Sequence, residues 1–421
     1  MAGDCGPVDG VSWGSPGWRV SRRESSASEL HVLTLTPFYP SQRDERGGFV
    51  SEAIGEMECH GLRSSVLAVR PVYKRGVRPS GVAPEATWVR YLAAPGNAGL
   101  ASAGRLLFWR LRRLVRRMHE ADPIAVLHAH ATLPCGEAAR LLGQELGIPV
   151  VVTVHGLDAY FTEQISGAAG VRCAAMSRQV YEQAARVVCI SEQVRRRVLE
   201  GALGLSMTEI VYNGVDAGAF SPGGRVPGTE FVVASVGSLI PIKGHDVTLG
   251  ALAVLQAEFP GVRCRIVGEG PELGRLQDLA RRLGISERVE FLGRQRRGQV
   301  ARLLQASDLF VLPSRYEGLG VAYLEAMATG LPAVAYRGQG IEEVIRHGEN
   351  GILLANHGPE TAARDLAAVL RTLIQQDGMR AKLGVAARRT VVGGFTLLHQ
   401  ARGLLRVFES AAESARRERP A

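Results

Sequence analysis

The feature of this 421-residue sequence that most constrains its fold is an alternation of short apolar runs with longer stretches of helical spacing. Strands are predicted near Leu30–Thr36, Ser64–Val69, Thr87–Tyr91, Ala125–His130, Pro149–Val154, Arg186–Ser191 and Glu209–Tyr212. A second series is predicted near Phe231–Gly237, Arg263–Gly268, Arg288–Gly293, Asp308–Ser314, Pro332–Tyr336 and Gly351–Leu354. Several runs, such as Val150–Val154, are apolar at every position, the pattern of parallel strands covered on both faces. Helices are expected between many of them, for example Gly136–Gly147 and Glu192–Leu203, the second following Ser191, a good N-cap residue. Repeated strand–helix–strand units imply right-handed crossovers and doubly wound parallel sheets. Such sheets bind ligands outside the carboxyl ends of their strands.

Length then divides the pattern. A chain of 421 residues is too long for one hydrophobic core. The Pro/Gly-rich stretch Ser221–Thr229 interrupts the alternation and is read as the linker. The expected organisation is a disordered leader over residues 1–28, a first domain over 29–220, the linker over 221–229 and a second domain over 230–392. A final segment over 393–421, with Leu404, Leu405 and Phe408 at helical spacing, is expected to form a helix that packs back on the first domain.

Composition removes several function classes. A hydrophobic fraction of 46% with 22% charged residues is ordinary for a globular chain. No apolar run approaches the ~20 residues that span a bilayer. The first 28 residues lack an apolar core, so they do not read as a secretory signal. Cys5, Cys59, Cys135, Cys173, Cys189 and Cys264 are scattered without a Cys-x-x-Cys pair, which argues against a disulfide framework or structural zinc and fits a cytoplasmic location. The net charge of +9 is spread over both halves, so no nucleic-acid partner is expected. Charge does concentrate at Arg105–Arg117. On a helix, Leu107, Phe108, Leu111, Leu114, Val115 and Met118 share one face, and six arginines take the other with Trp109. That face is either plain solvated charge or a contact for anionic lipid headgroups, where each cation adds about 1 kcal/mol.

Five segments carry the chemistry. Glu317-Gly-Leu-Gly-Val-Ala-Tyr-Leu-Glu325 frames a glycine turn with two carboxylates at the start of a helix, where free backbone N–H groups can bind hydroxyls or an anion. A capping glutamate and a solvated one are the plainer alternative. Val236-Gly-Ser-Leu-Ile-Pro-Ile-Lys-Gly244 places Lys243 in a loop after a strand, as a point charge for phosphate or as a solvated lysine. Val267-Gly-Glu-Gly-Pro-Glu272 is either a tight turn or a place where backbone approaches a flat ring closely, beside Gly268 and Glu269. Thr36-Pro-Phe-Tyr-Pro with Arg46-Gly-Gly-Phe-Val50 puts Gly47 and Gly48 at a helix start, as turn glycines or as N–H donors to phosphate. Val150–Asp158 ends a buried strand in His155, with Asp158 three residues on. His128 and His130 end the preceding strand and could line the same cleft. A lone histidine is more often structural than catalytic, but the carboxyl end of a parallel strand is where sites gather.

Taken with its surroundings, Leu312–Pro332, the first segment resembles the Glu-x7-Glu signature of family 4 of the retaining glycosyltransferases. These have the GT-B fold, two Rossmann-like parallel-sheet α/β domains facing across a cleft. The resemblance covers roughly residues 30–415 and implies a donor site for a nucleotide-diphosphate sugar. Glu317 and the turn Gly318, Leu319, Gly320 and Val321 would face donor sugar and diphosphate, and Glu325 the ribose hydroxyls. Lys243, Gly47 and Gly48 would serve the diphosphate, Gly268 and Glu269 the base. His155 would lie beside the transferred sugar, with Asp158 and His130 as candidates for the acceptor. His155, Glu317 and Lys243 are thus the catalytic candidates.

One position departs from the family: Ser238 stands where an arginine is usual in Gly-Arg-Leu-x3-Lys-Gly. Either this chain holds its donor with less charge or a neighbouring cation such as Arg315 substitutes. No Asp-x-Asp metal motif stands in a plausible site, so a metal-independent reaction without cofactor is expected. The acceptor implied is a glycan or a lipid-linked molecule, as in bacterial polysaccharide or envelope synthesis. A sugar-nucleotide epimerase of the same fold and an inactive glycan-assembly partner are the alternatives.

Overall fold

A computed structural model describes residues 30–417 apart from 42–46, 75–83, 97–98, 157, 160–164, 166, 202–206, 224–229 and 356–357. The expected leader, Arg46 and most of the expected linker therefore lie outside the described residues.

The first half builds a seven-stranded, wholly parallel sheet in the order β3-β2-β1-β4-β5-β6-β7. Its strands are β1 (His31–Thr36), β2 (Arg63–Pro71), β3 (Ala86–Tyr91), β4 (Val126–His130), β5 (Val150–Val154), β6 (Arg186–Cys189) and β7 (Thr208–Ile210). Between them run α1 (Gly48–Cys59), α2 (Leu100–Ala121), α3 (Glu137–Leu146), α4 (Gly167–Gln183) and α5 (Glu192–Gly201). The second half builds a six-stranded parallel sheet in the order β10-β9-β8-β11-β12-β13. It comprises β8 (Phe231–Val236), β9 (Val262–Val267), β10 (Val289–Phe291), β11 (Leu309–Val311), β12 (Ala333–Tyr336) and β13 (Gly351–Leu354). Its helices are α6 (His245–Leu255), α7 (Leu273–Arg282), α8 (Arg297–Gln305), α9 (Val321–Ala328), α10 (Pro359–Gln375) and α11 (Asp377–Gly394), followed by α12 (Leu397–Arg417).

Strand order explains where a ligand can sit. It reverses between β1 and β4 in the first sheet and between β8 and β11 in the second. Loops leaving neighbouring strands at such a switch point diverge to opposite faces and leave a crevice. The segments after β1, β8 and β11 carry Gly47, Lys243 and Glu317, while His128 and His130 end β4 itself and His155 follows its neighbour β5.

The apolar runs become core in both sheets, with Val151, Val152, Leu309, Phe310 and Val311 inaccessible to solvent. Helix α2 packs as its periodicity requires: Leu107, Leu111 and Val115 are buried, Phe108, Leu114 and Met118 pack behind them, and Trp109 stays 64% exposed. The C-terminal α12 lies on the first sheet, where Leu404, Val407 and Phe408 share one cluster with Val32, Ile54 and Val126. Full burial of each such side chain favours folding by about 1.5–3 kcal/mol. The chain thus crosses between halves twice, and the crossings touch. Val215 N–H donates to the Phe395 carbonyl at 3.0 Å, and Leu397 N–H to the Val215 carbonyl at 3.1 Å.

Candidate active site

A cavity of about 520 Å³ opens between the carboxyl ends of the two sheets. The first half contributes Gly47, Gly48, Phe49 and Glu52; the second contributes Ser238, Gly268, Glu269, Arg294, Arg297, Val321 and Glu325, among others. Two more cavities, of about 540 and 310 Å³, lie side by side at the amino ends of the first sheet's strands, against α12. Location rather than size separates them, since of the three only the cleft cavity is at the carboxyl ends of the strands.

Two helices present their N-termini to this cavity. Helix α1 begins at Gly48 behind Gly47, whose φ of +98° is left-handed. A Cβ on Gly47 would come within 2.5 Å of the Phe38 carbonyl carbon, so the chain reverses here only with glycine. Helix α9 begins at Val321, opposite, so Glu325 stands in its second turn. First-turn N–H groups lack intrahelical acceptors and carry the positive end of the helix dipole. Two such ends facing one cavity favour an anion between them.

Beside the cavity, Lys243 and Glu317 pair with each other. Lys243 Nζ lies 2.6 Å from Glu317 Oε1, which also accepts the Ser314 hydroxyl at 2.9 Å. Glu317 N–H donates to Gln339 Oε1 at 3.1 Å, so the residue is held at its backbone as well as at its carboxylate. Glu317 is 7% exposed and neither residue lines the cavity. Gly318, Leu319 and Gly320 also lie off the cavity wall. The backbone at Gly318 is pressed against the first half, where a Cβ would meet the His155 carbonyl oxygen at 2.7 Å. The glycine there serves the approach of the two halves.

Three histidines form a column behind this contact, His128 and His130 buried and His155 partly so. His155 Nε2 and His130 Nδ1 lie 2.8 Å apart with their rings stacked, and His128 Nε2 bonds Thr153 Oγ1 at 2.8 Å. Phe38 and Phe49 turn their edges to His155 at 5.7 and 5.1 Å. Burial holds the His155 imidazole down to about 4, and burial with neighbouring imidazoles lowers His130 and His128 as well. All three are neutral at physiological pH, so His155 offers hydrogen bonding without charge. His130 is only 4% exposed, behind His155 and away from the cavity wall expected of an acceptor contact. Asp158 Oδ1 accepts the His155 backbone N–H at 2.8 Å. Burial raises its carboxyl to about 6 against the pull of backbone N–H groups. It orients the turn that carries His155.

The cation suggested at Arg315 is elsewhere. Its guanidinium bonds the Pro241 carbonyl at 2.7 Å and Asp246 at 3.4 Å, bracing the 241–246 turn outside the cavity. The arginines that share the cavity with Ser238 are Arg294 and Arg297, which the motif reading passed over. Arg294 pairs with Glu269 at 3.0 Å, and Arg297 lies between Glu52 and Glu325 at 2.9 and 3.3 Å. Their signal was positional: both follow β10 at its carboxyl end. Glu325 is raised by burial and lowered by Arg297.

Two family descriptions match the chain: Glycosyltransferase Family 4 over residues 64–218 and Glycosyl transferases group 1 over 219–390. The D-inositol 3-phosphate glycosyltransferase of Rhodococcus erythropolis is 32% identical over 318 residues, covering 70% of this chain and 70% of the relative. The protein of the same name from Nocardioides is 30% identical over 373 residues, covering 81% and 80%. Among solved structures, sucrose-phosphate synthase from Thermosynechococcus elongatus superposes with a TM-score of 0.75 at 18% identity, covering 91% of this chain and all of the other. HepE of Anabaena with UDP-glucose superposes with a TM-score of 0.67 at 20% identity, covering 92% and 100%. At these identities the solved structures establish the two-domain fold.

Proposed function

The chain belongs to the family 4, group 1 glycosyltransferases, and on that premise we propose that it transfers a sugar from a nucleotide-diphosphate donor with retention of anomeric configuration and without a metal ion. The observation that carries the reading is convergence: Gly47, Gly48, Ser238, Gly268, Glu269, Val321 and Glu325, drawn from separate segments, line one cavity. In this reading the base lies along Gly268–Glu269 and the ribose hydroxyls bond Glu325. The diphosphate lies between the N-termini of α1 and α9, where Lys243 leaves Glu317 for it. The sugar points toward Glu317, the Gly318–Gly320 turn and His155.

The acceptor hydroxyl approaches the anomeric carbon from the face that the diphosphate leaves. The anomeric carbon–phosphate oxygen bond breaks as the bond to the acceptor oxygen forms, and a phosphate oxygen receives the acceptor proton. No protein base is then required, which suits a neutral His155. Lys243 and the two helix ends stabilise the charge that develops on the departing diphosphate.

The assignment of a glycan or lipid-linked acceptor rests on the family resemblance. The relatives named D-inositol 3-phosphate glycosyltransferase favour a second reading, a small phosphorylated polyol. Among the described residues no helix is long and apolar enough to cross a membrane. The α2 face, with Arg105, Arg110, Arg113 and Trp109 outward, would hold the protein at the anionic inner face of the plasma membrane. A thermal-shift panel of nucleotides and sugar nucleotides tests the donor. Saturation at 100 times Kd is expected to add about 2.7 kcal/mol. Turnover with the best donor, an acceptor panel and EDTA follows; no shift with any nucleotide, or EDTA loss restored by Mg²⁺, would overturn the corresponding step.

A further inference from the structure

A charge network crosses the cleft, and the donor reading uses only its Glu325. Arg297, the first residue of α8, places Nη2 at 2.9 Å from Glu52 Oε2 of α1 and Nη1 at 3.3 Å from Glu325 Oε1 of α9. Its guanidinium stacks 4.9 Å from the centroid of the buried Phe220 ring. A Cβ on Gly48 would lie 3.5 Å from Glu52 Oε1 and 3.9 Å from Arg297 Nη1, so the network abuts the N-terminal end of α1.

Two carboxylates share this one guanidinium, and Ser238, which lines the same cavity, carries no charge. Arg294 is paired with Glu269, whose side chain is 58% exposed, at the rim. Arg315 faces away, and Lys243 is 2.6 Å from Glu317. A diphosphate entering between α1 and α9 therefore meets Arg297 already in place, held by acids that a third anion can displace.

We propose that Arg297 is a donor-binding residue that passes from Glu52 to the donor's diphosphate when a sugar nucleotide enters, and that Glu52 takes up a proton as it lets go. The inference rests on the donor reading above. Glu52 is suited to the exchange, because burial pushes its carboxyl up to about 7. Arg297 of α8 lowers it, while Glu325 of α9 and Asp216 of the interdomain crossing raise it. Moving the guanidinium to a diphosphate and placing that diphosphate nearby both raise the proton affinity of Glu52. Donor binding then consumes up to one proton, and affinity strengthens as pH falls.

UDP-glucose and GDP-mannose are the probes, since neither ester has a phosphate that titrates near neutrality. Calorimetry in buffers of different ionisation enthalpy reads the proton uptake directly. The wild-type chain is expected to bind one probe with net proton uptake and with affinity rising up to about tenfold per pH unit lowered between 8 and 7. Glu52→Gln removes the titrating group, so its binding is expected to be flat over that range and to take up no proton. Arg297→Gln is expected to weaken binding on the order of tenfold to a hundredfold, as for a lost charge-assisted bond. Arg297→Lys keeps the charge without the fork and is expected to fall between.

Wild-type affinity in both Arg297 variants overturns the role of Arg297. Wild-type binding without proton uptake, or uptake that persists in Glu52→Gln, overturns the exchange. A wild-type chain that binds neither these esters nor any nucleotide of the panel overturns the donor reading itself, a separate result.

Discussion

Lys243 and Glu317 stand 74 positions apart in the sequence, where they read as two independent candidates, and they meet in the fold at 2.6 Å. Nothing in residue type or spacing announces that the two would pair with each other. The pairing sets a test. Lys243→Met leaves Glu317 buried beside Ser314 alone, so both stability and donor affinity are expected to fall, stability by roughly 1–3 kcal/mol. Adding Glu317→Gln removes the stranded charge and is expected to restore the melting temperature without restoring affinity. A double variant that regains donor affinity by calorimetry would take Lys243 out of the diphosphate site. The histidine column gives a second test. His128 is fully buried and held at about 3, first by burial and then by His155. A folded pKa below the unfolded 6.5 means that the unfolded chain alone takes up the proton as pH falls below 6.5. Its contribution to stability is present above 6.5 and is lost toward 3. His128→Gln keeps a polar partner for Thr153 without titrating. Its unfolding free energy is expected to fall less steeply between pH 6 and 4, by up to about 1.4 kcal/mol per pH unit in urea melts. An unchanged slope would show that His128 is not a neutral buried base.

At the level of elements, most of the strands were legible because parallel strands buried on both faces need unbroken apolar runs, and such runs are rare elsewhere. Their ends were less legible, for reasons visible at particular residues. The run Arg186–Ser191 stops pairing at Cys189, because Ser191 leaves the sheet to cap α5 and accepts the Val194 N–H at 3.2 Å. The run Asp308–Ser314 pairs only over Leu309–Val311 before Pro313 turns the chain toward Glu317. The glycine loop was readable as a helix start, but not the close approach of Gly47 to the Phe38 carbonyl that fixes it. Gly47→Ala places a methyl at 2.5 Å from that carbonyl carbon with φ at +98°. The loop must shift, and with it the N–H groups of α1 that face the cavity. A loss of about 1–3 kcal/mol in stability is expected, with weaker nucleotide binding in the same variant. Tm and calorimetry measured on one sample would show this; wild-type affinity would mean that the α1 end does not meet the diphosphate.

Across the whole molecule, the relation of the two halves rests on contacts that no local pattern encodes. Glu343, in the short 3₁₀ turn Gly340–Glu343, sends its carboxylate to the other half and accepts the first two N–H groups of α5. These are Glu192 N–H at 2.8 Å and Gln193 N–H at 2.9 Å. Tyr212, beside the crossing segment, donates its hydroxyl to the same carboxylate at 3.1 Å. Ser191 supplies the third donor's acceptor, so the N-terminus of α5 is capped jointly by its own half and by the half across the cleft. A carboxylate at a helix N-terminus also meets the favourable end of the dipole. The same 3₁₀ segment follows Gln339, which fixes the backbone of Glu317, so the latch is continuous with the site. Glu343→Ala strands two N–H groups and removes one of the tethers between the halves. The cost expected is about 1–2 kcal/mol at α5. Hydrogen exchange is expected to speed up over Glu192–Val198 while β8–β13 keep their protection, because the second sheet does not depend on this cap. Turnover is expected to fall with little change in nucleotide affinity, since the donor cavity residues stay in place but the halves that bring acceptor and donor together are no longer held. Unchanged exchange over α5 in that variant would show that Glu343 does not cap the helix in solution, and unchanged turnover that the latch has no part in closing the cleft.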